Sequence, residues 1–259
     1  MTESLKRTIK LVIAYDGTGY FGWQRQRSEK TIQAEVETAV STICNQSVTV
    51  HGAGRTDAGV HALSMSSHFK TVSTIPCYKL IKGLNSLLPA QIRILEAADY
   101  PANFHSQFSA VGKTYRYSIY TGSIQPPMQR LYVSHYPSTL SLEAMRSCLK
   151  NIVGTHDFSS FETSGTRDKA ITNGRGATRT IFNAWIEIPE PELYHLYISG
   201  DGFLRHMVRN LAGTIIDVGQ QRCSVNAFQQ ILASGDRQQA GTTAPAHGLT
   251  LVSVDYAVS

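Results

Sequence analysis

The chain has 259 residues, 42% hydrophobic and 17% charged, enough to bury a substantial core in one large domain or two smaller ones. Twenty-four Lys and Arg against nineteen Asp and Glu leave a net charge of +5, which is compatible with a polyanionic partner without demanding one. No apolar run reaches the roughly eighteen residues of a membrane span, "MTESLKRTIKLVIAYDG" lacks a signal peptide's apolar segment and cleavage site, and Cys44, Cys77, Cys148 and Cys223 form no C-x-x-C pair. The expectation is a cytoplasmic protein with reduced thiols, no disulfide frame, no metal and no membrane partner.

In chain order, alternation first predicts a strand over 9–15, with Ile9, Leu11, Ile13 and Tyr15 on one face. Ile32, Val36, Ala39, Val40 and Ile43 then follow helical spacing, with Thr31 as N-cap. A strand over 63–69 places Leu63, Met65 and Phe69 together, and the stripe Leu80, Ile81, Leu84, Leu87, Leu88 predicts a second helix closed by Pro89. Tyr115, Tyr117 and Ile119 mark a strand over 115–120. A helix follows Ser141 through Leu142, Met145, Leu149 and Ile152 to Gly154. Strands over 181–188, with Phe182, Ala184, Ile186 and Ile188 on one face, and over 193–198 precede two last helices, Met207–Val218 and Val225–Leu232.

Interleaved strands and helices with hairpins predict an α+β or α/β sandwich. A faint echo pairs "IAYDG", ahead of the first helix, with "SIYTG", ahead of the helix after Ser141. It suggests two related α/β halves, 1–105 and 106–259, with a cleft between them.

The segment most in need of explanation is "HGAGRTDAGVHA", His51 to Ala62. Its glycines permit positive φ and close approach of another molecule. Gly52, Gly54 and Gly59 do not fit G-x-G-x-x-G, no G-K-[ST] is present, and a strand rather than a helix follows, so the loop is not a phosphate cradle. His51, Asp57, His61 and His68 lack H-x-x-x-H spacing and a nearby cysteine, and a metal site is not expected. There remain Arg55 and Asp57, two residues apart in a strand–loop–strand setting. Residues i and i+2 of an extended segment can project to one side. Asp57 is then either a turn-capping carboxylate or a catalytic one held ionised by a guanidinium. A second feature, "TRDKAITNGRGATR", gathers Arg167, Lys169, Arg175 and Arg179 against the single acid Asp168. It reads equally as a solvated insertion or a phosphate-contacting arm.

The string "GAGRTDAGVHA" resembles the signature of the TruA-type transfer RNA pseudouridine synthases, and the resemblance runs along almost the whole chain. "YDGTGYFGWQRQ", "TIQAEVE", "GLNSLLP", "FHSQFSA", "KTYRYSIY", "GTHDFSSF", "HMVRNLAGTIIDVG" and "APAHGLTL" stand in family order. The stretch 163–179 departs from the pattern by looking longer than the family's usual segment.

The resemblance implies an isomerase converting uridine to pseudouridine at positions 38, 39 and 40 of the transfer RNA anticodon arm, acting as a homodimer without a cofactor. It implies two α/β halves with largely antiparallel mixed sheets flanking a basic cleft. By the same resemblance Asp57 is the catalytic nucleophile and Arg55 supports the flipped-out nucleotide. Tyr115 would lie against the target uracil, Arg209 would pair with the carboxylate, and Leu249 would wall the pocket.

The chemistry is consistent with these residue types. Moving the sugar bond from uracil N1 to C5 is redox-neutral, and an ionised carboxylate can attack sugar or base or remove a ribose proton. Extruding a base costs a few kcal/mol, and stacking on an aromatic ring returns roughly 1–3 kcal/mol. Two other readings stand beside this one: a noncatalytic RNA-binding or RNA-folding protein on the same fold, and an enzyme acting on free nucleotides.

Overall fold

The computed structural model describes residues 6–163 and 174–257. The chain runs β1 (Arg7–Tyr15), α1 (Ile32–Cys44), β2 (His51–Gly52), β3 (His61–Thr71), α2 (Cys77–Leu87), β4 (Ile92–Tyr100) and β5 (Ala110–Tyr120). It continues through β6 (Ser134–His135), α3 (Leu142–Ile152), β7 (Gly154–Asp157), β8 (Thr178–Glu190), β9 (Leu193–Gly200), α4 (Met207–Gly219), α5 (Val225–Ser234) and β10 (Leu249–Tyr256). Two compact units result: Met1–Val111 with Thr250–Ser259, and Gly112–Leu249. The architecture is α+β. No helix among the described residues is long and apolar enough to cross a membrane.

In the first unit the strands lie in the order β4-β1-β3-β10. Strand β1 is antiparallel to both β3 and β4, whereas β10 joins β3 in parallel through Thr250↔His61 and Leu251↔Ala62. Ile9, Leu11 and Ile13 alternate inward as expected and are fully buried with Met65, Phe69, Ile92, Val36, Val40 and Leu84. Leu63 does not join them and is 47% exposed. Pairing steps from Ile13↔Met65 to Tyr15↔Ala62, so β3 carries one extra residue there and its faces exchange. Thr31 occupies the N-cap position of α1 but makes no side-chain cap bond, and its Oγ1 is buried with no hydrogen-bond partner among the described residues. Ser141 and Ser224 do cap their helices, accepting from Ala144 N and Ala227 N.

In the second unit β5-β9-β8-β7 form an antiparallel run, with β6 parallel to β5. Helices α3, α4 and α5 pack together, burying Met145, Leu149, Leu211, Ile215 and Phe228. Strand β8 again corrects a predicted face. The register shifts between Ile181↔Gly200 and Asn183↔Ser199, making Phe182 the inserted residue; it is 52% exposed while Ile181 is buried. Ala184 and Ile186 stand opposite Ile198 and Leu196, and Ile188 lies beyond, in the exposed end of the hairpin.

Candidate active site

The R-T-D loop lies between β2 and β3, and its burial alternates sharply. Ala53, Thr56 and Val60 are buried, Arg55 is exposed and Asp57 is half-buried. Thr56 is the anchor. Its hydroxyl lies 2.8 Å from the Tyr15 phenol, and its carbonyl accepts from Trp23 N at 3.1 Å. Thr56 is thus the buried member of the tripeptide, between an exposed Arg55 and a half-buried Asp57.

The segment 16–24 lies along this loop. Gly59 N donates to Tyr20 O, and Gly17 N donates to His61 Nδ1 at 3.0 Å. The approach is close enough to require glycine at Gly22, which has φ +83°, and where a Cβ would sit 2.4 Å from the Thr56 carbonyl oxygen. A Cβ at Gly52 would meet the Trp23 indole at 2.5 Å.

Arg55 Nε donates to Gln24 Oε1 at 3.1 Å. Behind Gln24 stands a chain of polar groups that sequence reasoning did not single out. Gln24 Nε2 and Arg25 N both donate to Gln33 Oε1 at 2.8 Å. Gln33 Nε2 donates to Glu37 Oε1 at 3.2 Å and to Val50 O at 2.9 Å. Glu37 Oε1 also accepts from Val50 N, and its Oε2 pairs with Arg25 at 2.7 Å. Gln33 and Glu37, one turn apart on α1, are both buried. The available signal was two polar side chains at i, i+4 on the apolar face of a helix.

Of the histidines weighed as ligands, His61 accepts from Gly17 N and lies 3.2 Å from Asp16, while His51 and His68 pack with His105. His51 and His68 stack at 5.1 Å, and His105 meets His68 edge-on at 4.6 Å and His51 at a tilt at 5.6 Å. Ser106 Oγ lies 2.9 Å from His68 Nδ1 and donates to the His51 carbonyl at 2.6 Å. Burial, reinforced by His105, His51 and Lys70, pushes the His68 pKa down to about 4.

The other predicted residues belong to the second unit. Tyr115 pairs with Ile198 on β9, is buried, and meets Phe203 edge-on at 5.1 Å. Arg209, in the first turn of α4, is half-buried. Its Nε donates to Ala244 O at 2.8 Å, and Ala244 N returns a bond to Arg209 O. It is not the solvent-facing helix cation that spacing alone would allow. Next to it, Asn210 Oδ1 accepts from Arg237 and from Thr243 Oγ1, so the chain before β10 is tied to α4 at several points. Leu249 is buried at the start of β10. His206, the N-cap of α4, has a left-handed φ of 61°, and its Nδ1 lies 2.6 Å from Thr163 Oγ1.

Arg175 pairs with Asp201 at 2.9 Å, and Arg179 Nη1 donates to the Gly176 carbonyl. Both cations lie near Lys113, whose pKa is lowered first by burial and then by these two charges. Arg167 and Lys169 lie outside the described residues.

The family profile described as tRNA pseudouridine synthase matches residues 11–109 and 149–257. "tRNA pseudouridine synthase A 1" of Desulfotalea psychrophila is 49% identical over 96% of this chain and 100% of its own length. "tRNA pseudouridine synthase A 2" of Clostridium tetani is 42% identical over 97% and 100%. Among solved structures, a chain of a Cbf5-Nop10-Gar1 complex is 10% identical, with 94% of this chain and 48% of that one covered and a TM-score of 0.36.

Proposed function

This chain belongs to the tRNA pseudouridine synthase family, and from that membership we propose that it isomerises uridine to pseudouridine at positions 38, 39 and 40 of the transfer RNA anticodon arm, with Asp57 as nucleophile. The observation that carries the reading is the R-T-D loop itself: a buried Thr56 anchor with an exposed guanidinium on one side and a half-buried carboxylate on the other.

In the reaction the bond from ribose C1′ to uracil N1 breaks and one from C1′ to C5 forms. The C5 hydrogen leaves as a proton and N1 takes one up, so no electrons are exchanged with a second molecule. Asp57 acts on the sugar or the base as the C1′–N1 bond breaks and is restored when the C1′–C5 bond has formed. Arg55, exposed on its loop, supports the extruded nucleotide, whose unstacking costs a few kcal/mol. By the same resemblance Tyr115 lies against the uracil, Arg209 pairs with the catalytic carboxylate and Leu249 contributes apolar wall. Arg167, Lys169, Arg175 and Arg179 contact RNA phosphates, which sets position without reading sequence. The reading includes a homodimer in the cytoplasm, where transfer RNA is found; sedimentation equilibrium checks it by returning twice the 28.5 kDa chain mass.

The test uses transfer RNA carrying tritium at uridine C5. Forming the new bond expels that hydrogen, so tritium released to water reports the isomerisation. The wild type releases tritium from positions 38–40 and Asp57→Ala releases none while still binding RNA. RNA binding with no release from any transcript returns the noncatalytic reading, and release from free uridine nucleotides returns the small-substrate one.

A further inference from the structure

We propose that Gln24 is a positioning residue for Arg55, and that Glu37 and Gln33 orient it. The proposal rests on the reading of Arg55 as the support of the extruded nucleotide.

A carboxamide can turn either its oxygen or its nitrogen towards a neighbour, so an amide that serves a guanidinium needs its orientation set from behind. Here every link has a defined polarity. Glu37 is a carboxylate that can only accept, and it accepts from Val50 N and Gln33 Nε2. The nitrogen of Gln33 also donates to Val50 O, which uses both of its hydrogens and turns Oε1 the other way. That oxygen accepts from Gln24 Nε2, leaving Gln24 Oε1 to face Arg55 Nε. Gln33 and Glu37 are buried and anchored to the backbone, whereas Gln24 and Arg55 are exposed, so order passes outward from α1 to the loop.

The bond is made to Nε, on the stem side of the guanidinium. An exposed arginine loses considerable rotamer freedom when it engages RNA, and a side chain already held loses less. The three segments involved are "GWQRQ", "TIQAEVE" and "GAGRTD". The proposed chemistry assigns a role only to the last of them.

The experiment compares wild type, Gln24→Ala, Arg55→Ala and the double variant. It reads single-turnover tritium release at saturating enzyme, together with the fluorescence of an anticodon stem-loop carrying 2-aminopurine beside the target uridine. Gln24→Ala is expected to slow release about tenfold, as for loss of a hydrogen bond to a charged group. The enzyme concentration for half-saturation should move by no more than about twofold, because the bound state rather than capture is affected. The fluorescence rise on extrusion should fall in parallel, and the double variant should be no slower than Arg55→Ala. Gln24→Glu keeps an acceptor for Nε but loses the donor to Gln33 Oε1, so it should slow release less than Gln24→Ala without restoring the wild-type rate.

Equal loss from Gln24→Ala in the presence and absence of Arg55 overturns the proposal, as does a Gln24→Glu rate equal to wild type, since the orienting bond to Gln33 would then count for nothing. If Arg55→Ala is slow and Gln24→Ala is not, the proposal alone falls. If Arg55→Ala leaves both readouts unchanged, the assignment of Arg55 falls and this one with it.

Discussion

The hydroxyl of Thr56 lies 2.8 Å from the phenol of Tyr15, and both groups are buried. This pair links the end of β1 to the middle of the R-T-D tripeptide, so the residue without a charge holds the two that have one. Thr56→Val keeps the shape and removes the bond. It should cost about 1 kcal/mol of stability in urea unfolding, and slow tritium release by a larger factor than stability accounts for, since Arg55 and Asp57 lose their common anchor. Release as fast as wild type would mean that the loop is held by its backbone bonds alone.

Two glycines in the same segment separate strain from collision. Gly19 has φ +77° and open space where a Cβ would stand, while Gly22 combines φ +83° with a Cβ position 2.4 Å from the Thr56 carbonyl oxygen. Gly19→Ala should therefore cost only the conformational penalty of roughly 1 kcal/mol. Gly22→Ala must also displace the loop and should abolish most activity. Thermal melting and tritium release of the two variants, measured together, check the contrast.

Stability should fall in mild acid because of His68. Its pKa is pushed from the usual 6.5 down to about 4 by burial first, then by His105, His51 and Lys70. Between those two values the unfolded chain holds a proton that the folded chain rejects. Stability is thus fully present above pH 6.5, declines as pH falls towards 4, and changes no further from this source below it. The loss is up to about 3 kcal/mol. Urea unfolding at pH 7 and pH 5 measures it, and His68→Gln, which can still bond Ser106, should flatten the dependence.

Arg175 and Arg179 lie near Lys113 with Asp201 as the acid paired to Arg175. Replacing Arg167, Lys169, Arg175 and Arg179 with Ser should weaken transfer RNA binding. Each lost phosphate contact should also lower the slope of log affinity against log salt by about one. An unchanged affinity and slope would leave this stretch as a solvated insertion.

Much of the architecture was legible in the chain before any tertiary information. The five helices fall where 3.6-residue stripes place them, since a helix buries one face whatever it packs against. The R-T-D loop stands between strands, as its glycines and the alternation after Val60 imply. The family was legible too, in blocks quoted residue by residue.

Other features depended on partners distant in sequence. Strands β4 and β10 escaped because Ile92, Ile94 and Leu95, and likewise Leu251, Val252 and Val254, are apolar on both parities, so alternation cancels. The inserted residues near Leu63 and at Phe182 reverse a predicted face, and a bulge exists only relative to the strand it is paired with. The return of β10 to the first unit and the amide chain from Glu37 to Arg55 are decisions of the same kind. Local periodicity records which side of an element is buried. What lies opposite, and which polar group meets which, is decided only when the closed chain brings buried donors and acceptors from distant segments together.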